Sequence, residues 1–334
     1  MRCAALLLAA LCLGLPREAG AENAAMAACD GSNLPDTPFS GADGPYRMRM
    51  ISVPDPGYHG QDLLIFQPVG LGGRRPVIFF AHGFGPNYWQ TYVDLISHLV
   101  SLGYVLVWAP YPNTNATNDD RYTSLWVGFA AAVKADGDIM DLTRVGFLGH
   151  SFGGGAVPAL AYQGLVANGW GRNGAFMMLL APWYSYETSD TLLQGLPASL
   201  IQAEEIYDQD TTNDHRMAID IDQHLAPGAE KYFFLGKSGT LDGCVLTADH
   251  SVPGTNPSLL LKRLALFRPL DAIASLAFEH STAAAAALAQ MGDTVFDGYQ
   301  PIAAEPAPVP DQPQSYYQWP WDNPSNPREA EEPW

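Results

Sequence analysis

Residues 142–161 read LTRVGFLGHSFGGGAVPALA, and three different kinds of backbone follow one another within them. Arg144–Leu148, with apolar Val145, Phe147 and Leu148, has the continuous apolar character of a short buried strand. Gly149-His150-Ser151-Phe152-Gly153 comes next without a gap, and Gly154, Gly155 and a run of small residues then open a helix able to lie close on a sheet. Strand, G-x-S-x-G, helix is the order of a nucleophile elbow, in which the serine occupies a strained turn with its hydroxyl presented at the top of the sheet. Glycine at 149 and 153 fits that geometry, because a Cβ there would collide with the neighbouring strand or helix. Ser151 is the candidate nucleophile. A bare G-x-S-x-G is more often an ordinary glycine-rich turn, so the flanking strand and helix carry the reading.

The chain on either side supplies the rest of an α/β fold. Upstream, Tyr46–Val53 and Asp62–Pro68 are expected strands, paired antiparallel across the Pro54-Asp55-Pro56-Gly57 turn. Pro76–Ala81, PVIFFA, is the uninterrupted apolar run of a strand covered on both faces. A helix over residues 87–102, ended by Gly103, and a strand over Tyr104–Ala109 complete a parallel crossover. After a polar loop, a helix over residues 122–135 leads to the elbow strand. Downstream, Ala175–Leu180, a strand beginning at Ala198, a helix over Asp214–Leu225 and a strand over Lys231–Leu235 continue the alternation. The pattern predicts a mostly parallel twisted sheet with helices on both faces. Only 17 residues separate Leu180 from Ala198, too few for a cap domain, so the cleft is expected to be open. Pro257–Gln290 reads as helix broken at Pro269.

A serine hydroxyl is a weak nucleophile until a base takes its proton and a carboxylate orients that base. In this architecture the acid and the histidine follow the serine in the chain, each on a loop after a later strand. Of eight histidines, His59, His82 and His98 precede Ser151 and His150 lies inside the elbow. His215 and His224 fall on the helix after the acid loop, and His280 on an alanine-rich helix. That leaves His250, on the loop after the last strand. The acid lies within QAEEIYDQDTTND, residues 202–214. Asp214 reads as a helix N-cap. Asp210 is the candidate orienter, with Asp208 the alternative. Acyl transfer also needs donors aimed at the developing oxyanion. The N–H of Phe152 follows the nucleophile, and that of Phe84, in His82-Gly83-Phe84 after PVIFFA, is the candidate second donor. No metal-ligand spacing, phosphate-cradling loop or dinucleotide fingerprint occurs, so no cofactor and no metal are expected.

The first 21 residues carry one early charge, Arg2, an apolar run over residues 4–15 and Ala19-Gly20-Ala21, the pattern of a cleaved secretory signal. No later stretch is long and apolar enough for a membrane anchor. The expectation is a secreted or periplasmic monomer. Loss of residues 1–21 takes Arg2, Arg17 and Glu18, moving the formal charge from −18 to −19. Such a surface repels nucleic acid and anionic lipid. It also leaves Cys29 and Cys244, which in an exported chain predict either a single disulfide bracing the His250 loop or two free thiols. The expected organisation is a signal peptide (1–21), an irregular arm (22–45), the catalytic-type domain (46–295) and a tail (296–334). From Pro301 onward the tail has nine prolines, six acidic residues and Tyr316, Tyr317, Trp319, Trp321 and Trp334. Proline at that density excludes regular structure; the aromatics either hold the tail against the domain or bind a polymer or partner.

Taken together, residues 46–290 resemble the α/β-hydrolase superfamily, and within it the capless dienelactone-hydrolase and cutinase-like branch that includes bacterial polyester hydrolases. The resemblance rests on strand-His82-Gly83-Phe84, on DLTRVGFLGHSFGGG from Asp141, on Ala181-Pro182-Trp183 after the next strand, and on the late His250 loop. GHSFGG also occurs in platelet-activating-factor acetylhydrolases. The resemblance implies a Ser151-His250-Asp210 triad, oxyanion donors at Phe84 and Phe152, Trp183 as an aromatic wall of the acyl subsite, and a small or polymeric ester as substrate. The aromatics Phe84, Tyr88, Trp89, Trp183 and Tyr184 favour an apolar or aromatic ester. His82 stands where the polyester hydrolases usually have proline, the acid loop is longer, and the tail has no counterpart in them.

Overall fold

A computed structural model describes residues 29–31, 34, 38–85, 87–241, 243–291 and 312–331. The signal peptide expected over residues 1–21 lies outside the described residues. Eight strands form one sheet in the order β1-β2-β4-β3-β5-β6-β7-β8. They are β1 (Met48–Pro54), β2 (Asp62–Pro68), β3 (Arg75–Ala81), β4 (Val105–Trp108), β5 (Met140–His150), β6 (Ala175–Leu180), β7 (Leu200–Tyr207) and β8 (Glu230–Gly236). Only β2 runs against the others. The chain is an α/β protein, and no cap domain is present among the described residues.

Period-two alternation splits the apolar strands between two cores. Ile78 and Phe80 of β3, with Phe176, Met178 and Leu180 of β6, face the helices Val93–Ser101 and Arg268–Glu279. Val77 and Phe79, with Met177 and Leu179, face the helices Asn118–Asp136 and Phe152–Tyr162. The chain leaves β3 toward β4 on one side and leaves β5 toward β6 on the other. Between β3 and β5 the connections therefore diverge and open a crevice beyond the carboxyl ends of the strands, where ligands of open α/β sheets bind.

Three details differ from the sequence reading. At Pro269 the C-terminal helical region changes type without ending: a π-helical segment, Lys262–Phe267, passes directly into the α-helix Arg268–Glu279, with Pro269 in its first turn. The helical path itself stops at His280, whose left-handed φ of 52° ends the helix before Ser281 caps Thr282–Gln290. The helix expected from residue 122 starts at Asn118, because Thr117 and Asp120 form a capping box. A small hairpin, β9 (Gly239–Leu241) with β10 (Cys244–Leu246), was not anticipated in the loop leading to His250.

Cys244 of that hairpin is disulfide-bonded to Cys29, with Cα atoms 5.5 Å apart and a sequence separation of 215. Tying so long a loop removes about 5 kcal/mol of chain entropy from the unfolded state. The arm is anchored a second time where His98 on Val93–Ser101 bridges Asp43, at 2.9 Å, and Asp271, at 2.8 Å, with the Phe267 ring stacked 4.1 Å away. Burial opposes charge on His98, but Asp271 and Asp43 outweigh it and hold its pKa up at about 9. A raised histidine pKa stabilises the fold fully below the ordinary value near 6.5, and the contribution is lost as pH rises through 9. Asp271 is itself pushed up by burial, so the pair shares one stabilisation of at most about 3 kcal/mol. Urea titrations at pH 6 and pH 10 are expected to show stability falling across that window, and His98→Gln to flatten the fall. An equal fall in the variant would show that His98 is not its source.

Candidate active site

The elbow forms where β5 ends against the helix Phe152–Tyr162. Ser151 has φ 54° and ψ −120°, a strained conformation for a residue with a side chain. It is tolerated because the surroundings leave no alternative. A Cβ on Gly153 would lie 2.0 Å from the Ala81 carbonyl oxygen, and one on Gly149 would lie 2.3 Å from that of Gly153. Strand and helix are thus in backbone contact on both sides of the serine. Ser151 Oγ has one hydrogen-bond contact among the described residues, the Asn213 amide at 3.5 Å, which also donates to the Ala181 carbonyl at 3.0 Å.

Asp210 follows β7 and is 1% exposed. Its Oδ1 accepts from the N–H groups of Thr212 at 2.7 Å and Asn213 at 3.3 Å, while Oδ2 accepts from His250 Nδ1 at 2.8 Å. Asp208 faces elsewhere: its Oδ1 accepts from the N–H and hydroxyl of Ser238. Of the two candidate acids, Asp210 is the one that meets His250. Asp214, expected as an N-cap, does accept from the Arg216 N–H at 3.0 Å, but the helix begins only at Arg216. Ser151 and His250 border the same two adjoining pockets. No hydrogen bond joins them among the described residues, and such bonds commonly tighten only when substrate is held.

Phe152 is the first residue of its helix, so its N–H is among those with no intrahelical acceptor. Phe84 is 59% exposed, with its ring 6.3 Å from that of Phe152 and the Arg121 guanidinium 5.3 Å above its face. His82, unusual at this position for the resemblance, is stacked 4.4 Å from Tyr111 and 5.1 Å from Trp108. Burial drives its pKa down to about 4. The neutral ring donates from Nδ1 to the Gly83 carbonyl at 2.8 Å, holding the turn that bears Phe84.

A buried relay that sequence reading missed ties this turn to the other two loops. His150 Nε2 lies 2.9 Å from the His250 carbonyl and must donate to it. Its Nδ1 then accepts from the Tyr92 hydroxyl at 2.9 Å, which itself accepts the Gly83 N–H at 2.9 Å. Burial, with His250 nearby, holds His150 well below the usual histidine range, so this neutral tautomer persists. Tyr92→Phe would strand two buried polar groups, at a cost of about 1–3 kcal/mol. The expected result is a lower melting temperature together with a fall in kcat at nearly unchanged KM. An unchanged kcat would show that the relay does not position the site.

Two pockets meet at Ser151. One, of about 430 Å³, is bordered by Gly83, Tyr92, Gln209, Thr211 and Thr255. The other, of about 520 Å³, is bordered by Phe84, Phe152, Trp183 and Trp319. Of the aromatics named from the sequence, Phe84 and Trp183 line the cleft. Trp89 instead packs on Phe66, 5.1 Å away, and Tyr184 is buried with its hydroxyl on the Pro320 carbonyl. Both were drawn inward because neighbouring apolar surface was there to cover. Among the described residues no group of three or more His, Cys, Asp or Glu side chains is placed to hold a metal ion, and no helix is long and apolar enough to cross a membrane. No protein-family model matches the chain, and no curated protein matches it either.

Proposed function

We propose that the chain is an exported serine carboxylic-ester hydrolase of the α/β-hydrolase type, resembling the capless dienelactone-hydrolase and cutinase-like branch. The observation that carries this reading is the strained Ser151 on the border of a cleft shared with a His250 whose Nδ1 is 2.8 Å from the buried carboxylate of Asp210. In the proposed reaction Ser151 Oγ attacks the ester carbonyl as His250 Nε2 takes its proton, and Asp210 steadies the imidazolium. The N–H groups of Phe84 and Phe152 receive the oxyanion. His250 returns the proton to the departing alcohol. Water, activated by the same imidazole, then attacks the acyl-enzyme and frees the acid and Ser151.

An open cleft with aromatic lining favours apolar or aromatic esters. The signal-type N-terminus and the Cys29–Cys244 bond support a secreted or periplasmic site of action. The test is a fluorophosphonate probe, followed by peptide mapping. Labelling at Ser151 supports the reading, and absence of labelling in folded protein favours a non-catalytic binding protein on the same scaffold. Relative rates on esters of increasing chain length, a thioester and an anilide separate an esterase from a lipase, thioesterase or amidase.

A further inference from the structure

The proline-rich tail is part of the cleft. Trp319 and Gln318 border the 520 Å³ pocket together with Ser151 and His250. The segment is fastened on both sides of Trp319. Before it, the N–H groups of Gln318 and Trp319 donate to the carbonyls of Thr211 and Thr212, each at 2.8 Å, and Trp319 returns a carbonyl to the Asp214 N–H at 3.0 Å. Those are the residues directly after Asp210. Beyond Trp319, the Tyr184 hydroxyl donates to Pro320 at 2.7 Å and the Trp321 N–H donates to Asp214 at 3.1 Å. Arg328, 2% exposed, is neutralised by Asp220 and by Asp190, and donates to the Thr188 carbonyl at 2.8 Å. A buried guanidinium holds its place only with such partners, so the segment is a built element of the fold and Trp319 a fixed wall.

The indole of Trp319 stands nearly perpendicular to that of Trp183, at 76° with centroids 5.4 Å apart. Phe152 lies 5.6 Å from Trp183. Such a corner offers a ring face beside a ring edge, the two contacts that aromatic groups prefer. The facing pocket, toward Gln209 and Thr255, is bordered by the rings of Phe84 and Tyr92 but by no indole. Resting on the ester-hydrolase reading, we propose that the tail determines specificity: Trp319, with Trp183, forms the wall that receives the aromatic ring of an ester substrate. The tail's position against the acid loop is what brings Trp319 there.

The experiment measures kcat and KM for the full chain on two matched pairs, methyl benzoate with methyl butyrate and benzyl acetate with butyl acetate. These place the ring on the acyl or the alcohol half in turn. Trp319→Ala is expected to lower the aromatic-over-aliphatic ratio of kcat/KM for at least one pair about five- to ten-fold, mostly through KM, the equivalent of one lost ring contact. Trp319→Phe is expected to keep that ratio within about two- to three-fold, because it retains a ring. Ratios unchanged in Trp319→Ala overturn the proposal, as does an equal loss in Trp319→Phe. Should Trp319→Ala fail to unfold cooperatively, Trp319→Leu, which keeps apolar bulk without a ring, is read in the same way. Ser151→Ala separates the two levels. If it abolishes hydrolysis while Trp319→Ala leaves both ratios alone, the hydrolase reading stands and the tail proposal falls. If the wild-type chain hydrolyses none of the four esters and the probe does not label Ser151, both fall together.

Discussion

Ser151→Ala is expected to cut kcat/KM on an aryl ester by about a millionfold, leaving the residual rate that oxyanion donors and substrate binding sustain without a nucleophile. The loss should be almost purely chemical. Alanine has a Cβ as serine does, so it meets the same strain at φ 54° and ψ −120°. The hydroxyl removed makes only the 3.5 Å contact with Asn213. Thermal unfolding is therefore expected to be nearly unchanged. A variant that retained more than a few per cent of wild-type activity would remove Ser151 from the mechanism.

Asp210→Asn is expected to lower kcat by about ten-thousandfold with a small change in KM. The amide keeps one oxygen for the Thr212 and Asn213 N–H groups, which holds the loop in shape. What it loses is the second acceptor, now 2.8 Å from His250 Nδ1. An NH2 group there drives the proton to Nε2, and the imidazole can no longer take one from serine. Asp208→Asn is the control. Its carboxylate fastens the Ser238 turn, so the variant should lose some stability but less than about ten-fold in kcat. If Asp208→Asn were the more damaging of the two, the acid would have been misassigned.

How much was legible beforehand follows from the range of the forces involved. The elbow could be read because strand, turn and helix are set by neighbours within a few residues. The same holds for β2 and β6, whose limits agree with the sequence reading residue for residue. The choice between Asp208 and Asp210 could not be read. Two residues apart after one strand, they meet different partners, Ser238 and His250, which lie far along the chain. Tyr92, Asn213 and Trp319 were missed as site residues for the same reason. Tyr92 lies inside a stretch read only as helix, residues 87–102, and Asn213 stands next to the residue read as a helix cap. The aromatic density of the tail was a visible signal, but it carried no address.

What the amino-acid sequence by itself determined is the α/β alternation, the backbone strain at Ser151 and the presence of one serine, one late histidine and a short run of acids in chain order. These follow from hydrophobic period, glycine placement and loop length, all local quantities. Only the tertiary structure decided which acid meets the histidine, how His150 and Tyr92 join three loops, and that the tail closes one side of the cleft. Those outcomes depend on the strand order that opens the crevice between β3 and β5, and on burial that makes each polar group find a partner from a distant part of the chain.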